Sequence, residues 1–103
     1  MSDHMVFQDC PDWQKEAIKS YWLQKVPRIE RLLTRFPEDQ RELRLTVTHK
    51  AKRHDVRAVL LLPTGSLAAE ASSPTDREAI DAVVDKLVGG IRRHKDLIRR
   101  EHL

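Results

Sequence analysis

Basic side chains that can bind an anion are concentrated near the end of the sequence. Five Lys or Arg and one acid lie in residues 91–100, a local charge of +4, whereas the whole chain carries only +3. The remaining residues therefore sum to −1. Lys binds a phosphate as a point charge, and Arg grips it with two parallel hydrogen bonds. A charge distribution this uneven indicates a surface for an anionic partner.

The first element that would position such charges is a helix predicted from Trp13 to about Phe36. Pro27 lies inside it and is expected to kink the helix or to restart it as a second segment. The apolar residues recur at spacings of three and four, which is the pattern of an amphipathic helix; they are Ile18, Trp22, Val26, Ile29, Leu33 and Phe36. The basic residues away from this stripe are Lys25, Arg28, Arg31 and Arg35.

A second helix is predicted to begin after Thr75, because Thr75 and Glu78 have the T-x-x-E spacing of a capping box. If the two helices pack side by side, their outer faces would form one continuous basic surface. Gly89-Gly90 precedes the basic end and would allow close packing or a bend, although each glycine costs about 1 kcal/mol relative to alanine. The apolar side holds Ile80, Val83, Val84, Leu87, Ile91, His94 and Ile98. The polar side holds Lys86, Arg92, Arg93, Arg99 and Arg100.

Between the helices the sequence predicts three strands. Residues 43–49 alternate strictly between apolar and polar, residues 55–62 are more apolar and so more central, and residues 67–71 form a weaker strand. Residues 50–54 and 63–66 have the composition of turns. Consecutive strands with short links imply an antiparallel meander, with both helices on one face. The apolar stretch at residues 5–7 is too short to assign as a strand.

Length and composition limit the number of domains, the kinds of site and the location that the chain can have. The 103 residues suit one domain covering residues 1–103, in which residues 1–10 can remain flexible. Cys10 is the only cysteine, which excludes an intramolecular disulfide, and it has no evident base beside it. His49 and His54 lack further metal ligands nearby. With no leader pattern and no apolar run of about 18–20 residues, we expect a cytoplasmic protein.

Other residues are better explained by packing and solvation than by chemistry. Trp13 and Trp22 are expected in the core, because Trp22 lies on the apolar stripe. Asp81 and Asp85 are separated by one helical turn and are expected to be exposed helix acids. We therefore expect no enzymatic activity, no catalytic, cofactor-binding or metal-binding residues, and no small-molecule substrate or membrane partner.

Four stretches in the second half follow one another in an order that is typical of a known family. They are H-D-V-R-A-V-L-L-L-P-T-G at 54–65, L-A-A-E-A at 67–71, A-I-D-A-V-V-D-K-L at 79–87 and R-R-H-K at 92–95. They resemble the ribosome hibernation promoting factors, also called ribosome-associated inhibitors or sigma-factor modulation proteins. The resemblance covers residues 43–98, with a weaker match at residues 21–33. Because the chain ends soon after the last helix, we expect the family's short form.

The resemblance implies an α+β fold of order β-α-β-β-β-α. Two helices would pack on one face of a mainly antiparallel sheet in a two-layer sandwich, with a first strand that is not visible in the sequence. It also implies binding to the small ribosomal subunit, where both helices face rRNA, block the mRNA and tRNA channel and inhibit translation during dormancy. The rRNA-binding residues implied by position are Lys25, Arg28, Arg31, Lys86, Arg92, Arg93 and Lys95. Arg35, Arg99 and Arg100 are added on charge alone.

Two other functions remain open. Double-stranded-RNA-binding domains share the order helix, strand, strand, strand, helix, and read duplex RNA partly through lysines at the start of the last helix. Here that start, residues 75–78, is near neutral. The departures at Pro27 and Gly89-Gly90 leave open a protein-interaction module that has kept the fold and lost ribosome binding.

Overall fold

A computed structural model describes residues 2–101, and the side chains of residues 3–96. Its elements follow the predicted order: β1 (Ser2–Gln8), α1 (Asp12–Glu30), β2 (Glu42–Lys50), β3 (Arg53–Leu62), β4 (Gly65–Ser73) and α2 (Asp76–Glu101). Short 3₁₀ turns lie at Arg31–Leu33 and Glu38–Gln40. The α+β fold class is confirmed, and the alternative of a three-stranded sheet is wrong, because the N-terminal residues form a strand.

The four strands form one sheet in the order β1-β2-β3-β4. β1 is parallel to β2, whereas β2–β3 and β3–β4 are antiparallel. In the parallel pair, Met5 lies beside Leu45 and Phe7 beside Val47. Both β1 side chains are partly buried against the core. This pairing therefore gives the short N-terminal stretch a place in the sheet.

The two hairpin turns are tighter than the sequence predicted. Between β2 and β3 the turn consists of Ala51 and Lys52, whose φ angles of 51° and 61° suit a two-residue hairpin. Between β3 and β4 only Pro63 and Thr64 separate the paired ends of the strands. Gly65 follows with a φ of 143°, a conformation that residues with a side chain rarely adopt.

Both helices bury their apolar sides against the same face of the sheet. The predicted stripe of the first helix is confirmed, since all six of its residues are buried. α2 buries Ile80, Val83, Val84, Leu87, Val88 and Ile91. The strands contribute Leu43, Leu45, Val47, Val56, Ala58 and Leu60 from their helix-facing side. Within residues 2–101, neither helix is both long enough and apolar enough to cross a membrane.

The helix ends differ from the prediction in detail. α1 continues through Pro27 without restarting, and the backbone changes to 3₁₀ geometry only after Glu30. At the start of α2, the Glu78 N–H donates to Thr75 Oγ1 at 3.4 Å, as the capping-box spacing predicts. The Glu78 carboxylate instead accepts from the Ser73 hydroxyl at 2.8 Å, and that hydroxyl accepts the Thr75 N–H at 3.3 Å. In a capping box the Glu78 carboxylate would accept directly from the Thr75 N–H, but here the Ser73 hydroxyl lies between the two groups and bonds to both.

Replacing Gly89 or Gly90 by alanine is expected to stabilise the protein. An added Cβ would lie 3.6 Å from an Arg93 guanidinium nitrogen at Gly89 and 3.9 Å at Gly90, which is ordinary contact, so close packing does not require these glycines. Alanine reduces the freedom of the unfolded chain, so each change should add up to about 1 kcal/mol and raise the thermal midpoint seen by circular dichroism. Gly65→Ala, at positive φ, should lower it. A lower midpoint for both helix variants would contradict this account.

Candidate nucleic-acid interface

α1 and α2 lie side by side, and we call the side of the pair that points away from the sheet the helical face. The Tyr21 hydroxyl and Asp81 Oδ1 are 2.6 Å apart, so the helices touch directly. The helical face carries most of the predicted rRNA-binding residues. Exposed members are Arg28, Arg31, Arg35, Arg92 and Arg93, and half-buried members are Lys25 and Lys95. The side chains of Arg99 and Arg100 lie outside the described residues.

The centre of the helical face contains ion pairs between the two helices. Arg28 Nη1 lies 2.8 Å from Asp85 Oδ1, and Lys25 Nζ lies 3.6 Å from Asp81 Oδ1. Two of the predicted phosphate-binding cations therefore already face carboxylates. The sequence indicated that both acids are exposed on a helix, but not that they pair with the other helix.

Tyr21 completes this contact and was missed in the sequence. Its hydroxyl donates to Asp81, while Lys25 Nζ and Arg77 Cζ lie 4.9 Å and 5.1 Å from its ring centroid, within the range of cation–π attraction. The hydrogen bond to Asp81, together with smaller desolvation, raises the pKa of Tyr21 above its ordinary value. The phenol therefore remains a donor at neutral pH and holds the helices together at this point.

The basic end of α2 carries cations of a different kind. Arg92 and Arg93 are exposed, and neither forms an ion pair within the described part of the chain. His94 is half-buried, and its Nε2 lies 2.7 Å from the Thr64 hydroxyl in the β3–β4 turn. This contact anchors the end of the helix to the sheet, so the neighbouring arginines project from a fixed support.

Lys86 lies apart from the other predicted cations. Its Nζ donates to the backbone carbonyl of Glu70 in β4 at 2.6 Å. The ammonium group is therefore held at the edge of the sheet beside α2. A phosphate would have to replace this hydrogen bond in order to bind Lys86.

Comparison with known families agrees with this architecture. A family model described as sigma 54 modulation protein / S30EA ribosomal protein matches residues 14–99. The chain belongs to this family. The S30EA match includes nearly all of both helices and the three strands between them, so the family predicted from the sequence motifs is confirmed.

Two solved structures share the S30EA fold. The N-terminal domain of protein Y from Thermus thermophilus is 22% identical with a TM-score of 0.72, and the match covers 91% of this chain and 99% of that one. A ribosomal subunit interface protein from Coxiella burnetii is 18% identical with a TM-score of 0.64, covering 93% and 99% respectively. At these identities the likeness supports the fold alone.

The two tryptophans of this S30EA chain have different environments. Trp22 is fully buried, as predicted, and its indole Nε1 lies 3.4 Å from Asp3 Oδ1. The prediction for Trp13 is wrong, because its side chain is 73% exposed. Nine residues separate the two, which is about two and a half helical turns, so they point to opposite sides of α1. A helical wheel of the sequence already places Trp13 opposite Trp22 and the apolar stripe.

Two histidines of the β2–β3 hairpin and the cysteine between β1 and α1 are partly or fully buried. The rings of His49 and His54 stack in parallel at 4.5 Å, and His54 is buried. The Cys10 thiol lies 3.5 Å from the Gln8 carbonyl oxygen and 3.7 Å from that of Val47. Burial raises the pKa of the Cys10 thiol, so it is a weak nucleophile at neutral pH. The described residues contain no group of three or more side chains placed to hold a metal ion.

Proposed function

We propose that this protein binds the small ribosomal subunit through the helical face, blocks the channel for mRNA and tRNA, and so inhibits translation in dormant cells. Membership of the S30EA family supports a ribosomal partner in the cytoplasm. The observation that carries the proposal is the set of exposed arginines at one end of the helical face. Because α1 and α2 run in the same direction, with Tyr21 beside Asp81 and Arg28 beside Asp85, Arg31 and Arg35 after α1 lie at the same end as Arg92 and Arg93 on α2.

The mechanism needs only binding. Arginine forks on a packed pair of helices neutralise rRNA phosphates and release the counterions condensed on them, which gives affinity without reading bases. Structured RNA is recognised largely by its shape, which a fixed helical face can match. A domain of this size lodged in the channel excludes mRNA and tRNA by occupying their space. No covalent bond is made or broken.

The alternative of a double-stranded-RNA-binding domain has weaker support. In this fold a strand precedes α1 and pairs in parallel with β2, so the order is not helix, strand, strand, strand, helix. The start of α2 offers no cluster of cations, since Asp76 and Glu78 flank Arg77 there. A co-sedimentation experiment with ribosomal subunits distinguishes ribosome binding from the alternative of a protein-interaction module.

The purified protein is expected to co-sediment with small ribosomal subunits at about 50 mM salt and to be released as salt approaches about 200 mM. The logarithm of the binding constant should fall linearly with the logarithm of salt concentration, with a slope of roughly −0.7 to −0.9 for each phosphate neutralised. Pelleting through a sucrose cushion measures both quantities. Added protein should also lower the yield of a translation reaction over the same salt range.

A duplex RNA of about 16 base pairs serves as the comparison ligand in this assay. Binding to the duplex but not to ribosomal subunits would favour the double-stranded-RNA alternative. Binding to neither would favour a protein-interaction module.

A further inference from the structure

We propose that Asp81 and Asp85 are internal competitors of the RNA phosphates, which hold Lys25 and Arg28 in ion pairs and so lower the affinity of the helical face. The inference rests on the proposed function of that face. It assigns the two aspartates a regulatory part in RNA binding, beyond that of exposed helix acids.

The geometry places both carboxylates where a phosphate would bind. Asp81 and Asp85 are one turn apart on α2, so both project towards α1. Asp85 Oδ1 is 2.8 Å from Arg28 Nη1, and Asp81 Oδ1 is 3.6 Å from Lys25 Nζ. These ion pairs span successive turns at the centre of the helical face.

The exposure of these groups means that RNA can reach them. The side chains of Arg28 and Asp85 are 53% and 66% exposed, and those of Lys25 and Asp81 are 35% and 49% exposed. Ion pairs this open to water add little to stability. The fold therefore does not depend on them, and the same cations remain accessible to another anion.

Phosphate and carboxylate bind guanidinium groups in the same way, so they compete for Arg28. When RNA approaches, each cation exchanges one anionic partner for another instead of gaining a first one. The displaced carboxylates remain within a Debye length of about 10 Å and repel the phosphates. Lys25 and Arg28 should thus contribute less to affinity than the arginines that have no ion pair in the described part of the chain.

A positioning role would give the opposite result. If the aspartates served mainly to hold Lys25 and Arg28 in a productive orientation, removing their charge would loosen the cations and weaken RNA binding. The sign of the change in affinity therefore separates the two roles.

The double variant Asp81→Asn, Asp85→Asn is expected to bind small ribosomal subunits about tenfold or more tightly near 0.1 M salt. Its salt slope should become more negative by about one to two, because two further cations would each neutralise a phosphate. Asparagine keeps the size of the side chain and an oxygen that can accept from Tyr21 or Arg28. Asp85→Asn alone leaves the Tyr21–Asp81 hydrogen bond intact, and it provides the test if the double variant folds poorly.

The matched control is Asp55→Asn, Glu70→Gln. Both residues are exposed on the sheet face that the helices leave uncovered, and Glu70 forms a surface ion pair with Arg57 at 3.4 Å. The control therefore removes the same charge and also breaks an ion pair, but away from the helical face. It should change affinity by less than about threefold, since charges beyond a Debye length are largely screened.

The outcomes separate this inference from the proposed function. If the wild-type protein binds no subunits, the proposed function fails and the inference fails with it. If the wild type binds but the aspartate variants bind equally or more weakly, the inference alone is wrong. An equal gain in the control variant would also overturn it, because overall charge would then explain the effect.

Discussion

Reversing Arg92, Arg93 and Lys95 to glutamate is expected to abolish binding to small ribosomal subunits. Each reversal removes a cation from the basic end of α2 and adds a charge that repels phosphate. A phosphate that is no longer neutralised costs about tenfold in affinity near 0.1 M salt, so three of them with added repulsion should lower affinity by about a thousandfold or more. Co-sedimentation should then fall to background.

The fold should survive these reversals. Arg92 and Arg93 are exposed, and exposed substitutions usually change stability by less than about 0.5 kcal/mol each. The thermal midpoint from circular dichroism tests this point. Retained binding in the folded triple variant would show that the end of α2 is not part of the interface.

A matched variant carries the same change of charge at the β2–β3 turn: Lys50→Glu, Lys52→Glu and Arg53→Glu. That turn lies at the opposite end of the sheet from Thr64, which contacts the basic end of α2. The turn variant should keep most of its ribosome binding. Equal loss in both triple variants would mean that overall charge, and not the helical face, governs binding.

Trp22→Ala is expected to have the largest effect on stability of any substitution considered. Trp22 is fully buried at the centre of the core, and truncation of such a side chain removes its packing and leaves a cavity. The expected loss is about 3–5 kcal/mol, a large share of the roughly 5–15 kcal/mol that stabilises a domain. Urea denaturation followed by far-ultraviolet circular dichroism measures the loss.

Trp13→Ala is the control for this substitution, because Trp13 is 73% exposed on the opposite side of the same helix. Its expected cost is below about 0.5 kcal/mol. Similar losses in the two variants would contradict the placement of α1 on the sheet.

The elements found from the sequence are those whose burial leaves a periodic pattern. Ile18 and Ile29 belong to a helical stripe because α1 has a single buried side, and Leu43 and Leu45 alternate because β2 has one. β1 leaves little pattern of its own. Its place depends on parallel pairing with β2, a partner distant in the sequence, and two of its apolar side chains, Met5 and Phe7, turn towards the core.

The sequence predicted which basic residues lie in the candidate interface, but not the ion pairs that two of them form with the other helix. Helical periodicity placed Lys25 and Arg28 on the outer side of the first helix, where the structure has them. It did not give the angle at which α2 would meet that helix, and this angle brings Asp81 and Asp85 to them. The periodicity of one helix carries no information about its contacts with another helix.

The hydrogen bond from Lys86 to Glu70 has a consequence for how this chain avoids self-association. β4 is an edge strand, and unpaired carbonyls on such an edge can recruit a strand from another molecule. The Lys86 ammonium covers one of these acceptors and places a charge beside it, both of which oppose sheet extension and aggregation. Replacing Lys86 with a neutral residue to probe RNA binding would therefore also expose the edge of β4 to pairing with another molecule. A loss of binding in that variant would combine weaker phosphate binding with less soluble protein.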